Sequence, residues 1–378
     1  MAKVLTIAVD VRSLQAAKTG TKTYLEELCR EFKNWDDDNI KFYFLGGKSS
    51  VYTGHQKKFK LLEHVKHQLW KQLILPLKAF QKKADIVFCT DDCVPLMHLG
   101  YQTIPVIHDA FCFEMPANYG RAWLWLYKNT AIPAAKRSAF VVTPTEWAKK
   151  QIIHFTDICS SKLIVIAEGP KSMISASESD TVQLLSRLGI SRPNYLLHVG
   201  AMYKRKNLPA LIGVFAQIKK MGYADLKLVL AGSAPANQID NDYAAIVNII
   251  NSHNLQSDVV LTGYLADTEL NALYANATAY VFPSTNEGFG IPVLEAFKNK
   301  LPVLVASNTC LPEVGGDAVV QFDPTDDEDM LAKIKMVLDD TNLREEMIAK
   351  GVERLKQFSW HKTATQLIEV FKRAANVH

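Results

Sequence analysis

The sequence contains no apolar run near the roughly eighteen residues that a membrane-crossing helix needs, which argues against an integral membrane protein. Its cysteines, at 29, 89, 93, 112, 159 and 310, lack the spacing of a zinc site: Cys89 and Cys93 have no matching second pair. Scattered thiols of this kind read as buried and reduced, which favours a cytoplasmic setting. The opening MAKVLTIAVDVRS has one lysine and a short apolar run broken by Asp10, so it reads as a first strand and not as a signal peptide. A net charge of +4 is too small to imply nucleic acid, and no nucleic-acid module accompanies it. The three-glycine G-x-G-x-x-G dinucleotide fingerprint is also missing after the first strand. With 48% hydrophobic and 22% charged residues, disorder and fibrous repeats are excluded, and 378 residues suggest two domains.

What is present is a strand, loop and helix unit repeated along the chain. Lys3 to Val9 leads through a loop containing Thr19-Gly20-Thr21 to a helix with Tyr24, Leu25, Leu28 and Phe32 on one face. Asp36-Asp37-Asp38 and Asp91-Asp92 read as solvated turns, and no metal is assigned to them. Between residues 41 and 83 lysines are frequent and Glu63 is the one acid. Within it, Leu61 to Phe80 is a basic amphipathic helix carrying Trp70, equally readable as a packed helix with a solvated face or as a surface for an anionic bilayer. Strands at Ile86 to Cys89 and Thr103 to Ile107 follow, the second ending at His108-Asp109. A helix over Arg121 to Arg137 should be kinked by Pro133, and Thr145 should cap the next. The Ser, Gly and Pro-rich stretch from Glu168 to Asp180 marks a boundary, giving domains at 1–175 and 176–359 with a terminal helix at 360–378.

Two stretches of the second domain carry chemistry. After the strand Tyr195 to Val199 come Gly200 and Lys204-Arg205-Lys206, cations beside a helix start, which suits an anion and also suits an exposed basic turn. The strand ending at Phe282 runs into Glu287-Gly288-Phe289-Gly290-Ile291-Pro292-Val293-Leu294-Glu295, a loop with two glycines and a helix opened by Pro292. In open α/β sheets ligands sit beyond the carboxyl ends of strands, where glycines admit close approach and helix amides attract anions. Glu295 alone is equally accounted for by the helix macrodipole.

Glu287 and Glu295 within EGFGIPVLEA, with VIHDAFCFEMP around His108 and VGAMYKRKNLPAL around Arg205 and Lys206, resemble the signature of retaining glycosyltransferases of the GT-B fold, specifically glycosyltransferase family 4. The resemblance runs from about Asp10 to Trp360. It implies an α/β chain of two Rossmann-like domains facing across a cleft, with a C-terminal helix crossing back onto the first. It implies transfer of a sugar from a GDP- or UDP-sugar to a hydroxyl of a saccharide or lipid-linked saccharide, with no other cofactor. Arg205, Lys206 and the amides of Gly288, Phe289, Gly290 and Ile291 would meet the diphosphate, and Glu295 the ribose. Tyr264 and Leu265 would line the base pocket, Glu287 and His108 would lie at the transferred sugar, and Gly20 would face the donor phosphates from the first domain. Mannosyl transfer in surface polysaccharide synthesis, at the inner face of the membrane with contact through 57–83, is the expectation. The sequence departs from many relatives at Ala201, where an arginine is usual, and the segment Ser307 to Val314 resembles a recurrent loop without an assigned role. A glycoside hydrolase, a nucleotide-sugar epimerase and a non-catalytic nucleotide binder remain alternatives.

Overall fold

A computed structural model describes residues 4–15, 20–46, 51–52, 57–234 and 240–376. Thr19 and Lys48 lie outside them, as do the side chains of Lys57, Lys58 and Lys60. The chain forms two compact units, 1–169 with 359–378, and 170–358.

In the first unit, strands β1 (Leu5–Asp10), β2 (Ile40–Leu45), β3 (Ile86–Cys89) and β4 (Gln102–Pro105) form a parallel sheet in the order β2-β1-β3-β4. A second parallel pair, β5 (Val141–Thr143) and β6 (Leu163–Val165), continues it through a bridge from Val106 to Val142. The central strand β3 is apolar and buried throughout, and β1 is buried from Ile7 to Asp10, as a sheet covered on both faces requires. The helix Trp360–Ala375 belongs to this unit, packing on the helix Gly20–Lys33 and on β1 and β3, with Phe371 against Phe32 and Phe88. The expected break after 175 falls earlier, after Gly169, because the chain is held on both sides. A Cβ at Gly169 would stand 2.6 Å from the Trp360 nitrogen, in the first unit, while Lys171 pairs with Asp267 at 2.6 Å in the second.

Two helices of the first unit accommodate proline by the same device. Ahead of Pro76 and of Pro133 the α-helix widens into a π turn, at Trp70–Ile74 and Tyr127–Ala131. Proline cannot donate to the preceding turn and its ring crowds that turn's carbonyl, and the wider turn accommodates both effects.

In the second unit, β7 (Tyr195–Val199), β8 (Lys227–Ala231), β9 (Val259–Gly263), β10 (Ala279–Phe282), β11 (Val303–Ala306) and β12 (Val319–Phe322) form one parallel sheet in the order β12-β11-β10-β7-β8-β9. The chain builds outward from β7 in one direction, then restarts at β10 and builds in the other. Loops after β7 and β10 therefore diverge and leave a crevice at the strand ends, the place where open α/β sheets bind ligands. In the first unit the corresponding reversal lies between β1 and β3.

Candidate functional site

The reversal point of the second unit brings the two sequence stretches together. The loop after β7 carries Arg205 and Lys206 in a single 3₁₀ turn, closed by Asn207 in the left-handed region at φ 55° and followed by the helix Leu208–Lys220. The loop after β10 carries Glu287. Lys206 Nζ donates to Glu287 Oε1 at 2.6 Å, both groups almost fully buried, and the Thr285 amide donates to the Arg205 carbonyl at 2.8 Å. Lys206 also lies over the Phe282 ring, and the Arg205 guanidinium over Tyr203.

Burial and the adjacent Arg205 hold the Lys206 ammonium below its usual pKa, against the pull of Glu287. The Glu287 carboxyl falls below its usual range because Lys206 and Arg205 outweigh burial. His198, at the end of β7, is wholly buried, and burial with the Lys206 charge pushes it down to about 3, so it is neutral. Its Nδ1 bonds to the Val281 carbonyl at 3.0 Å, which places the proton there and leaves Nε2 an acceptor. That Nε2 has no hydrogen-bond partner among the described residues. A Cβ at Gly200 would stand 3.3 Å from Lys206 Cε and 3.4 Å from His198 Nε2, so glycine keeps this space open.

Glu295 lies elsewhere on the same unit. The helix begins at Ile291, so Glu295 falls beyond its first turn and turns inward, where it accepts a hydrogen bond from Tyr274 at 2.8 Å. Burial raises its carboxyl above the usual range. The charge acting most strongly on it is Lys171, which is itself raised, against burial, by its bond to Asp267 and by Glu295 and Tyr264. Glu295, Lys171, Asp267 and Tyr264 thus form a second group, with Tyr264 80% exposed and Leu265 half-buried beside it. Gly288 is half-buried, whereas Phe289, Gly290 and Ile291 are buried.

His108 sits in the first unit. Its Nδ1 lies 3.3 Å from Glu168 and its Nε2 3.2 Å from the Thr90 carbonyl. Burial opposes its charge, but the bond to Glu168, helped by Asp92 and Asp109, lifts it to about 9, so both ring nitrogens donate. Tyr24 meets it edge-on at 4.9 Å, in the helix that Gly20 opens. Gly20 itself is exposed.

The expectation for Asp91 needs correction. It is not a solvated turn residue: Lys71 Nζ, 1% exposed, lies 2.5 Å from Asp91 and 2.6 Å from Asp10. Asp10, Cys89 and Asp91 could together hold a cation, and the Lys71 ammonium already stands among them. Lys71 had been counted with the solvated lysines of the basic helix. The π turn rotates it with Trp70 onto the buried face, where Trp70 donates to Asp10 at 3.0 Å. Asp92 is also half-buried, and burial lifts its carboxyl to about 7. Asp37 does form a turn, accepting from the Asn39 amide.

Sequence reading missed Glu168, Lys71, Lys171 and His198. Glu168 lay in the stretch read as linker, while a histidine flanked by leucines and valine in a strand, as in Tyr195–Val199, carries a signal that was overlooked.

Residues 185–354, which lie within the second unit, match the family model of the group 1 glycosyl transferases. Over 73% of its length the chain is 27% identical to the O-antigen chain mannosyltransferase B of Escherichia coli, covering 72% of that protein. It is 28% identical over 74% of its length to the serotype-specific mannosyltransferase WbdA of E. coli, spanning about a third (34%) of that longer chain. Among solved structures, Anabaena Alr3699/HepE in complex with UDP-glucose superposes with a TM-score of 0.72 over 98% of this chain and 100% of that one, at 17% identity. Over residues 185–354 the chain thus matches the group 1 glycosyl transferases, and it has the GT-B fold of two Rossmann-like units.

Proposed function

We propose that the chain is a retaining hexosyltransferase that moves a sugar from a nucleotide-diphosphate sugar to a hydroxyl of a saccharide or lipid-linked saccharide in surface polysaccharide synthesis. The observation that carries this is the buried Lys206 at the reversal point between β7 and β10, an ammonium that burial and the adjacent Arg205 hold below its usual pKa. It pairs with the buried Glu287 beside a neutral imidazole, and Arg205 acts in turn on Asp240. Such a corner is stabilised by an added anion. A diphosphate supplies it, and more strongly as the bond to the sugar breaks and charge develops on the leaving oxygen.

In this reading the bond from the anomeric carbon to the phosphate oxygen breaks, the acceptor oxygen bonds to that carbon on the same face, and its proton passes to the departing phosphate. Arg205, Lys206 and the amides from Gly288 to Ile291 receive the charge, so protein cations do the work a divalent ion would otherwise do. Glu287, held ionised by Lys206, orients sugar hydroxyls and supports positive charge at the anomeric carbon. Glu295 receives the ribose and Tyr264 and Leu265 the base. His108, fixed as a double donor, orients the transferred ring rather than removing a proton. The names of the curated relatives favour a mannosyl group. Thermal unfolding with UDP, GDP, ADP and dTDP tests the donor site: one diphosphate should raise the melting temperature selectively. Four identical melting curves would sink the reading.

The membrane contact expected through 57–83 is part of this proposal. The helices Lys57–Leu69 and Leu75–Gln81 run on through the π turn, and Leu62, Leu69, Leu73, Leu77 and Phe80 follow one another at helical spacing, each about half exposed. Exposed Lys66, Lys78 and Lys82 flank them, which suits an anionic lipid surface. Among the described residues no helix is long and apolar enough to cross a membrane. The chain should sediment with anionic vesicles and not with zwitterionic ones, and Leu73→Asp with Leu77→Asp should abolish this. Equal binding to both vesicle types would count against it.

A further inference from the structure

The stretch from Glu168 to Asp180, read from the sequence as a linker, begins with a buried acid. The backbone around Glu168 is held at each neighbour. The Ile166 amide donates to the Thr143 carbonyl at 2.9 Å, which continues the β5–β6 pair. The Thr363 hydroxyl of the terminal helix donates to the Ala167 carbonyl at 2.7 Å. Gly169 lies against Trp360, as its missing Cβ requires. This anchored backbone brings Glu168 Oε1 to 3.3 Å from His108 Nδ1.

On the other side of the ring, Nε2 lies 3.2 Å from the Thr90 carbonyl. A backbone carbonyl can only accept, so Nε2 carries a hydrogen and the charge of the ring is decided at Nδ1. Without a carboxylate there, a buried ring would be neutral, with a lone pair on Nδ1. Glu168 favours a second hydrogen and a positive charge. The remaining groups against the ring act less strongly. Asp92 accepts from the His108 amide at 3.3 Å, Asp109 follows in the chain, and Tyr24 meets the ring edge-on. Burial lifts Asp92 to about 7 and holds the Tyr24 hydroxyl well above its usual range, so the phenol is neutral.

We propose that Glu168 is a positioning residue of the sugar site: by keeping a proton on His108 Nδ1 it fixes the plane of that ring against Thr90 and keeps the ring a cation during sugar transfer. This rests on the reading that His108 lies at the transferred sugar. Glu168 acts only through the histidine, whose side chain remains 16% exposed. A ring protonated at both nitrogens has no lone pair with which to take the acceptor's proton, so it orients the sugar and does not serve as a base.

Three variants carry the test: Glu168→Gln, which keeps size and removes the charge; Glu168→Asp, which keeps the charge one methylene short; and His108→Gln. Imidazole NMR signals are titrated, with that of His108 identified by its loss in His108→Gln. Its midpoint should lie near pH 9 in the wild type, at or below 6.5 in Glu168→Gln and between the two in Glu168→Asp. Release of GDP from GDP-mannose, or of UDP from UDP-glucose, is followed over the same pH range. In Glu168→Gln it should be about tenfold slower than wild type at about pH 8, the value of one charged hydrogen-bond partner, and should recover as pH falls toward about 6. Asp92, Asp109 and Tyr24 are common to all these chains, so the difference between profiles belongs to Glu168. An unmoved His108 midpoint in Glu168→Gln overturns the inference. So does a loss of turnover that is equal at both pH values, the mark of a purely structural role, and so does turnover that stays at the wild-type value throughout. Turnover that survives His108→Gln would instead overturn the placement of His108 at the sugar, and a wild-type chain that releases neither diphosphate would overturn the transfer reading itself, so the failures are distinct.

Discussion

Each unit places a buried lysine at the reversal point of its sheet, and the two lysines are treated in opposite ways. Lys71 lies between Asp10 and Asp91, and although burial opposes its charge the two carboxylates hold its pKa well above the usual value. Lys206 has Glu287 alone, with Arg205 next to it, and its pKa falls. The crevice of the first unit is filled by its own lysine with two carboxylates against it. In the second, the buried lysine has one carboxylate and a neighbouring cation. A fold built twice thus places a lysine at each reversal point, and it is the number of carboxylates against it, not topology, that separates the two.

Substituting the two lysines separates a structural charge from the one proposed to meet the donor diphosphate. Lys71→Met leaves Asp10 and Asp91 buried without their cation, and removing one partner of a buried ion pair costs about 3–5 kcal/mol. Chemical denaturation should show a loss of that size. Lys206→Met removes an ammonium that the site already disfavours, so its stability cost should be the smaller, while turnover falls about a hundredfold, as when one preorganised donor to a developing anion is lost. If Lys206→Met proved as destabilising as Lys71→Met and left donor turnover intact, the contrast between the corners would fail.

Much of this was legible in the sequence because it is local. The apolar runs of β7 and β10, the glycines after them and the helix start at Ile291 and Pro292 are written within a few residues of one another. They led directly to Arg205, Lys206 and Glu287, which the structure joins across 81 residues. The partners that set protonation were not legible, because they come from distant segments: Glu168 to His108 spans 60 residues, and Lys71 to Asp91 spans 20. Lys71 was hidden for a second reason. Helical periodicity assumes α geometry, and the π turn at Trp70–Ile74 shifts the phase, turning a lysine into the core and leaving Leu73 and Leu77 outside. Glu295 was found but its direction was not, since the Tyr274 hydroxyl that draws it inward lies on another helix.

The two histidines near these strand ends repeat the contrast on a smaller scale, and pH reads it out. His108 is raised from its usual 6.5 to about 9, so the folded chain holds its proton more tightly than the unfolded chain does. That contribution to stability is complete below pH 6.5 and disappears as pH rises toward 9. Asp92, raised from 3.8 to about 7 by burial, contributes stability that is complete below pH 3.8 and lost as pH rises toward 7. His198 is lowered from 6.5 to about 3, so the folded chain refuses a proton that the unfolded chain accepts, and its contribution is complete above pH 6.5 and lost as pH falls toward 3. Melting temperature should therefore fall above about pH 7, while on the acid side the contributions of His198 and Asp92 oppose each other. His108→Gln should flatten the alkaline decline, and His198→Gln should leave Asp92 alone to raise stability as pH falls from 7 toward 3.8. An alkaline side that survives His108→Gln unchanged would mean that Glu168 does not hold a charged imidazole, and the first unit's compensation would then rest on Lys71 alone.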